Sequence, residues 1–297
     1  MTKVLVLGSD GLLGQAFCRV LENSSFHLST HSRTEKSDIN CDVIHQSDLL
    51  SRFISETKPD YIINCIALVS IHNCEKDKGQ CMSINYRFVD WILEIAKENH
   101  ANLVHISTDH FFTGDKNKLH SERDEVSLVN NYAKSKFLGE QSALKYERSL
   151  VVRTNITGFR GKKTNLTFFE WVLKIIHTRE PVILFDDFYT STIDATSLVH
   201  YIIKLIELRA YGLFNIASSE CYSKQEFINC VAARLHCRLG DVTVKSVSSL
   251  LPARAESLGL CVSKVEKILE CKMPTQQQVI ENLLQQASSY GVRLPHH

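Results

Sequence analysis

The sequence predicts an α/β protein, a doubly wound parallel sheet with a smaller C-terminal lobe. Three observations predict it. The apolar run Val4-Leu5-Val6-Leu7 opens directly into Gly8-Ser9-Asp10-Gly11-Leu12-Leu13-Gly14, and then into the helical pattern Gln15-Ala16-Phe17-Cys18-Arg19-Val20-Leu21. Short β-rich runs alternate with helical patterns through the first half, the order expected of a parallel sheet covered by helices. A chain of 297 residues with 44% hydrophobic content can bury a large core.

Taken in order, strands are expected at 3–8, 26–30, 60–64, 102–106, 149–153, 182–185 and 212–216. Helices are expected at 12–23, 46–57, 79–99, 129–147, 165–179, 194–208, 223–236 and 275–289. The glycines after the first strand allow a tight turn and let a pyrophosphate approach the backbone. The following helix N-terminus offers free N–H groups and the positive end of its dipole. The spacing is G-x-x-G-x-x-G, a variant of the G-x-G-x-x-G fingerprint. Residues 1–155 are therefore expected to form a Rossmann-type dinucleotide-binding domain, with its ligand at the carboxyl ends of the strands. Past about residue 155 the alternation loosens. Residues 156–297 are expected to be mostly a substrate-binding lobe, with some segments returning to the sheet.

Charge and composition narrow the function. With 34 basic and 33 acidic side chains the net charge is +1, which points neither to nucleic acid nor to an anionic membrane. No apolar run approaches the ~20 residues of a membrane span. The first strand begins within two residues of Met1, so no signal peptide is expected and the cytoplasm is the expected compartment. The ten cysteines are scattered, and Cys65, Cys74 and Cys81 lack the close pairing of a zinc site. Reduced thiols and no metal are the expectation.

The catalytic candidates follow the strand Leu103-Val104-His105-Ile106, which ends in Ser107-Thr108-Asp109. Further on, Tyr132 and Lys136 stand four apart in Asn130-Asn131-Tyr132-Ala133-Lys134-Ser135-Lys136, which on a helix stacks them on one face. A tyrosine with a pKa of ~10 is a poor proton shuttle at neutral pH, and a neighbouring ammonium favours the phenolate. That pair suits carbonyl reduction, in which a hydride reaches carbon and a proton reaches oxygen. Thr108, at a strand's carboxyl end, can hydrogen-bond the carbonyl.

In this order of motifs the chain resembles the extended short-chain dehydrogenase/reductases, and among them the dTDP-4-dehydrorhamnose reductase family. The matching text is Lys58-Pro59-Asp60-Tyr61-Ile62-Ile63-Asn64 with Ala67, Asn73-Cys74-Glu75 leading to Ile84-Asn85, and His105-Ile106-Ser107-Thr108-Asp109 with Phe112 and Gly114. It continues through the Tyr132 helix and Val152-Arg153-Thr154, and fades beyond about residue 160. The resemblance implies NADPH-dependent reduction of a nucleotide-linked 4-keto-6-deoxy sugar to the alcohol, by an NAD(P)-dependent oxidoreductase of carbohydrate biosynthesis. Tyr132 would give the proton to the 4-keto oxygen, Lys136 would hold the nicotinamide ribose and tune Tyr132, and Thr108 would orient the keto group. Gly8, Gly11, Leu12, Leu13 and Gly14 would cradle the dinucleotide phosphates. Asp42 and Val43 would recognise adenine, and Ile66, Ala67 and Leu68 would line the nicotinamide side. Asn85 would support the lysine through water, or serve only as a polar helix residue. Asp109, Arg153 and Arg254 would face substrate, the two arginines either on its diphosphate or as salt-bridged structural residues.

The second expected strand ends near Thr30-His31-Ser32-Arg33. An acid at that end would favour NAD, whereas Arg33 can bind a 2′-phosphate, so NADP is expected; Glu35 follows closely. Departures from the family fall in the substrate lobe. Ile156 replaces a tryptophan, Phe188-Tyr189-Thr190-Ser191-Thr192 replaces a proline-bearing segment, and Arg254-Ala255 replaces Arg-Pro. Two other readings keep the fold. One is a non-catalytic NADP-binding regulatory subunit resembling the methionine adenosyltransferase beta subunit, and the other a sugar-nucleotide epimerase. Thr108, Tyr132 and Lys136 together favour chemistry, and His110 in place of a glutamate after Asp109 argues against dehydration. A nucleotide sugar is the expected partner, and a homodimer is left open.

Overall fold

The computed structural model describes residues 1–34, 36–161 and 164–294. In chain order its first elements are β1 (Lys3–Leu7), α1 (Leu12–Leu21), β2 (His27–Ser32), β3 (Ile39–Asn40), α2 (Ser47–Thr57), β4 (Tyr61–Asn64), α3 (Ile71–Lys76), α4 (Lys78–Met82), a π-helical turn (Ser83–Arg87) and α5 (Phe88–Glu98). Then come β5 (Asn102–Ile106), α6 (Asn131–Ala143), β6 (Ser149–Arg153), β7 (Ile156–Thr157), α7 (Phe168–Thr178), β8 (Val182–Leu184), β9 (Tyr189–Thr190), β10 (Ile193–Asp194) and α8 (Ala195–Glu207). The last are β11 (Gly212–Asn215), β12 (Tyr222–Ser223), α9 (Lys224–Arg234), β13 (Val242–Val244), β14 (Ser257–Leu258), α10 (Ser263–Leu269) and α11 (Gln276–Gln286).

Seven strands form the central sheet in the order β11-β6-β5-β4-β1-β2-β3, and the ladders from β6 to β3 are parallel. Every residue of β4 and of β6 is buried, as strands covered on both faces must be. Leu50 and Ile54 of α2 and Val89, Ile92 and Leu93 of α5 fill one face of that sheet. The chain reverses its build direction between β1 and β4, and a sheet of this kind opens a crevice at such a switch point, beyond the strands' carboxyl ends. This is the α/β fold that the alternation predicts.

By contact density the chain divides into two compact units. Unit 1 holds Met1–Thr108, Leu128–Arg153 and Val199–Phe214. Unit 2 holds Asp109–Ser127, Thr154–Leu198 and the residues from Asn215 onward. Unit 2 is built on three short sheets, β10-β7, β12-β9-β14 and β13-β8, and on helices started by capping boxes at Thr167, Ser223 and Thr275. The strand expected at 182–185 is therefore β8, paired with β13 in a small sheet and not with the central one.

The single helix expected over 79–99 is three pieces, α4, the π-helical turn and α5. Asn85 explains the break. Turned inward and fully buried, it bonds the backbone of Leu68 and the Ser135 hydroxyl. A Cβ on Gly139 of α6 would stand 2.2 Å from the Asn85 carbonyl oxygen, so the two helices touch backbone to backbone there. Periodicity does not report such a wide turn, which marks a local demand and not a propensity. Among the described residues no helix is long and apolar enough to cross a membrane, and all ten cysteines are free.

Candidate active site

The glycine turn is fixed by close backbone approach. Gly8 has φ +82°, and its N–H and that of Ser9 both donate to the His31 carbonyl at 2.9 Å, tying the turn to the end of β2. A Cβ on Gly14 would lie 2.1 Å from Gly8 O, which leaves no room for a side chain. Gly11, with φ −77° and 3.3 Å to that same oxygen, is less constrained. No side-chain oxygen caps α1, unlike α7, α9 and α11, and no acid stands in its first turn. Leu12 and Leu13 thus begin a helix whose N–H groups and dipole are open to an anion.

Across the switch point, the Ile66 side chain meets the turn, 3.1 Å from where a Gly8 Cβ would be. The loop after β4 is held from two sides. Ile66 N–H donates to Asn64 Oδ1 at 3.0 Å, and Leu68 N–H donates to Asn85 Oδ1 at 2.8 Å. Asn85 Nδ2 donates back to Leu68 O and to Ser135 Oγ, both at 3.0 Å. Asn85 was expected to support Lys136 through water or to be a simple polar helix residue. Its amide pins Leu68 to α6 through Ser135.

The start of α6 is doubly anchored. Asn130 accepts the Ala133 N–H as its cap, and Glu75 accepts both the N–H and the side-chain amide of Asn131. Tyr132 and Lys136 follow one turn apart, 7% and 2% exposed. Lys136 Nζ donates to Ile106 O at 2.5 Å, which places the ammonium at the carboxyl end of β5, two residues before the buried Thr108. Burial pulls the Lys136 pKa down to about 8, and the nearby Glu140 carboxylate opposes that shift. Ammonium, phenol-bearing helix turn and Thr108 thus belong to one corner of unit 1.

Beneath that corner lies a feature that the motifs do not mark. Glu140 accepts Ser107 Oγ at 2.7 Å and Arg153 Nε at 2.9 Å on Oε2, and Arg153 Nη2 at 2.7 Å on Oε1. Of the two roles open to Arg153 in the sequence, this is the ion-paired structural one. Glu140 stands four residues after Lys136, so the helical spacing that pairs Tyr132 with Lys136 would also have pointed to it.

Arg33 is exposed just past β2, and Glu35 lies outside the described residues. Asp42 Oδ1 accepts the N–H groups of Ile44 and His45, which holds its carboxyl below the usual range. Val43 packs with Leu5 and Leu50 in the sheet's core. The pair expected at adenine is therefore engaged, at these atoms, in its own turn and in the core.

In unit 2, Asp109 accepts Asn155 Nδ2 at 2.6 Å, and His110 Nε2 lies 3.9 Å from the Asp109 carboxylate. Burial first, then the charges of Lys224 and Arg254, push the His110 pKa down to about 3, so its ring is neutral. Lys224 belongs to this group although no motif singles it out. Ser223-Lys224-Gln225-Glu226 has the spacing of a capping box, and that alone puts Lys224 at the first position of α9. Arg254, expected at substrate, belongs to the same unit.

The profile of the RmlD substrate binding domain family matches residues 1–289. The probable low-salt glycan biosynthesis reductase of Haloferax volcanii is 25% identical over 299 residues, covering 96% of this chain and 98% of that protein. The dTDP-4-dehydrorhamnose reductase of Aggregatibacter actinomycetemcomitans is 27% identical over 236 residues, 76% of this chain and 77% of that one. The crystal structure of dTDP-4-dehydrorhamnose reductase from Bacillus anthracis in complex with NADP superposes with a TM-score of 0.85 at 21% identity, covering 96% of this chain and 99% of that one, and shares the fold.

Proposed function

The chain belongs to the RmlD substrate binding domain family, and from that membership we propose that it reduces the 4-keto group of a nucleotide-linked 6-deoxy sugar with NADPH. The observation that carries the reading is Lys136, whose ammonium is bonded to the end of β5 one helical turn from Tyr132. The relatives named as reductases, and the NADP in the Bacillus anthracis structure, support the same chemistry.

The cradle fits a dinucleotide. A Cβ at Gly14 would strike the turn's own backbone, so glycine there keeps turn and helix together, and the uncapped α1 offers N–H groups to a diphosphate. Gly8, Gly11, Leu12, Leu13 and Gly14 would hold the phosphates, Arg33 the 2′-phosphate, and Ile66, Ala67 and Leu68 the nicotinamide side. Bound NADPH supplies a hydride to the carbonyl carbon. Thr108 donates a hydrogen bond to the keto oxygen and orients it. Tyr132 gives that oxygen its proton as negative charge develops there. The Lys136 ammonium holds the ribose hydroxyls and makes the phenol a stronger acid, so the proton is released at neutral pH. Ser107, Glu140 and Arg153 keep the end of β5 and α6 in register, so that Thr108 and Tyr132 do not drift.

The test is to offer NADPH and NADH separately with a panel of 4-keto-6-deoxy sugar nucleotides and follow the absorbance of the reduced cofactor. Turnover with NADPH is the expected result. Tight NADPH binding with no oxidation against any member of the panel would replace this reading with the regulatory one.

A further inference from the structure

Cys74 and Cys81 would be far apart on an unbroken helix. Residues at that spacing are separated by ~10.5 Å along the axis, whereas a disulfide needs Cα atoms within about 7 Å. The chain breaks at Asp77, whose φ of −132° and ψ of 85° end α3 and whose carboxylate accepts the Gln80 N–H to start α4. Both short helices then pack against α6. The two thiols become neighbours in one cluster with Ile71 and Tyr132, each thiol 0% exposed and in side-chain hydrogen-bond contact with the other.

Their bonds join them to the site. Cys74 Sγ donates to Leu68 O at 3.5 Å, the carbonyl that also accepts Asn85 Nδ2 at 3.0 Å. Cys81 Sγ lies 3.1 Å from Ser135 Oγ and accepts that same Asn85 amide at 3.7 Å. Ser135 in turn donates to the Tyr132 carbonyl at 2.9 Å. The Cys74 thiol above all, and then Ser135 and Asn85, hold the Cys81 thiol down to about 7 against the opposing effect of burial. Burial instead pushes the thiols of Cys18, Cys41, Cys65, Cys221 and Cys230 up. A thiolate is the reactive form, and a second thiol beside it can resolve the oxidised sulfur. Residues 76–80, between the two cysteines, are exposed, and helices of six and five residues open locally without global unfolding.

We infer that Cys74 and Cys81 are a redox-active dithiol, closed to a disulfide by a small peroxide, that controls the cofactor side of the site. The Cys81 thiolate attacks one oxygen of hydrogen peroxide, the O–O bond breaks, and hydroxide leaves with the electron pair. Cys81 is then a sulfenic acid. The Cys74 sulfur attacks it, the S–O bond breaks, and the departing oxygen takes the Cys74 proton and leaves as water. Together the thiols lose two electrons and two protons, and the peroxide becomes two waters. A Cys74 sulfur bonded to its partner no longer donates to Leu68 O, and Tyr132 packs against both thiols. The bond therefore shifts two residues assigned above to the nicotinamide and the proton. That consequence rests on the reductase reading and adds a control to it.

The test treats the full chain with hydrogen peroxide, alkylates the remaining thiols and digests with trypsin under non-reducing conditions. Cleavage after Lys76 and Lys78 separates the two cysteines, so their peptides stay joined only if the bond has formed. Expected is that joined pair, with NADPH affinity lowered about tenfold or more and restored by dithiothreitol. Cys81→Ser, which keeps a hydroxyl for Ser135 and Asn85, should hold its NADPH affinity under the same treatment. Cys81→Ala takes its place where the serine variant does not fold. Free Cys74 and Cys81 under excess peroxide overturn the dithiol. An equal loss of affinity in the variant, or a joined pair with unchanged NADPH affinity, overturns its control of the site. The peptide map needs neither cofactor nor turnover. A chain that binds no NADPH thus loses the reductase reading, while the joined pair still upholds the dithiol.

Discussion

Arg153 and Glu140 form a bidentate ion pair, Nε to Oε2 at 2.9 Å and Nη2 to Oε1 at 2.7 Å, with neither side chain more than 3% exposed. The Ser107 hydroxyl completes the carboxylate's bonds at 2.7 Å. Removing one member of a buried pair strands the other's charge, at a cost of about 3–5 kcal/mol, whereas replacing both by apolar groups costs far less. Glu140→Leu and Arg153→Met should each lower the free energy of unfolding by an amount in that range, and the double variant should recover much of it. Denaturant titration checks this. Additive losses in the double variant would show that the pair does not act as a unit.

The glycine turn gives a graded expectation. An alanine Cβ at position 14 meets backbone at 2.1 Å, and no rotamer can relieve a backbone clash. At position 11 the nearest approach is 3.3 Å with φ −77°, which a small shift accommodates. Gly14→Ala should therefore weaken NADPH binding by a factor of about a hundred, about 2.7 kcal/mol, or prevent folding, and Gly11→Ala by no more than about tenfold. Fluorescence titration with NADPH checks the order, and equal effects would contradict it.

Arg33, exposed beyond β2, tests the cofactor preference. Arg33→Ala should raise the dissociation constant for NADPH by about tenfold or more, the cost of losing a charge-assisted bond of about 1.5–3 kcal/mol, while leaving NADH little changed. Equal weakening of both would count against a 2′-phosphate contact.

Lys136 sets two pH effects of opposite sign. Burial lowers its pKa from 10.5 to about 8, so between those values the folded chain binds fewer protons than the unfolded chain. The penalty for burying its charge is fully present below about pH 8 and is relieved as pH rises toward 10.5. The stability of the parent relative to Lys136→Met should thus improve on going from neutral pH to about 10, by at most about 3 kcal/mol. Activity moves the other way, because the ammonium that assists Tyr132 is lost. The kcat/KM of the parent should fall above about pH 8. A stability difference that is flat with pH would refute the depressed value.

Much of the fold is legible in the sequence. The apolar run before Gly8 and the alternation after it predict the sheet and its switch point, because strand burial and backbone approach leave a local signature. Tyr132 and Lys136 are visible for the same reason, since helical spacing alone stacks them. For Asn85 the sequence leaves two readings, support of the lysine through water or a polar helix residue, and marks neither its burial nor its bonds to Leu68 and Ser135. Its inward turn depends on a π-helical insertion and on Gly139, neither of which periodicity encodes. Lys224, Arg254 and Asp109 come from three separate segments, and only tertiary folding brings their charges within reach of one another. Val43 reads alike as an adenine contact and as a core residue, and the fold packs it into the core cluster of the sheet.

The most direct measurement of the central claim is the comparison of parent and Tyr132→Phe for steady-state oxidation of NADPH with a 4-keto-6-deoxy sugar nucleotide, together with the NADPH dissociation constant of each. Loss of the proton donor alone should lower kcat by about 10²–10⁴-fold while NADPH binds with near-parent affinity. A Tyr132→Phe variant that turns over at the parental rate would contradict the assignment of the phenol as the proton source.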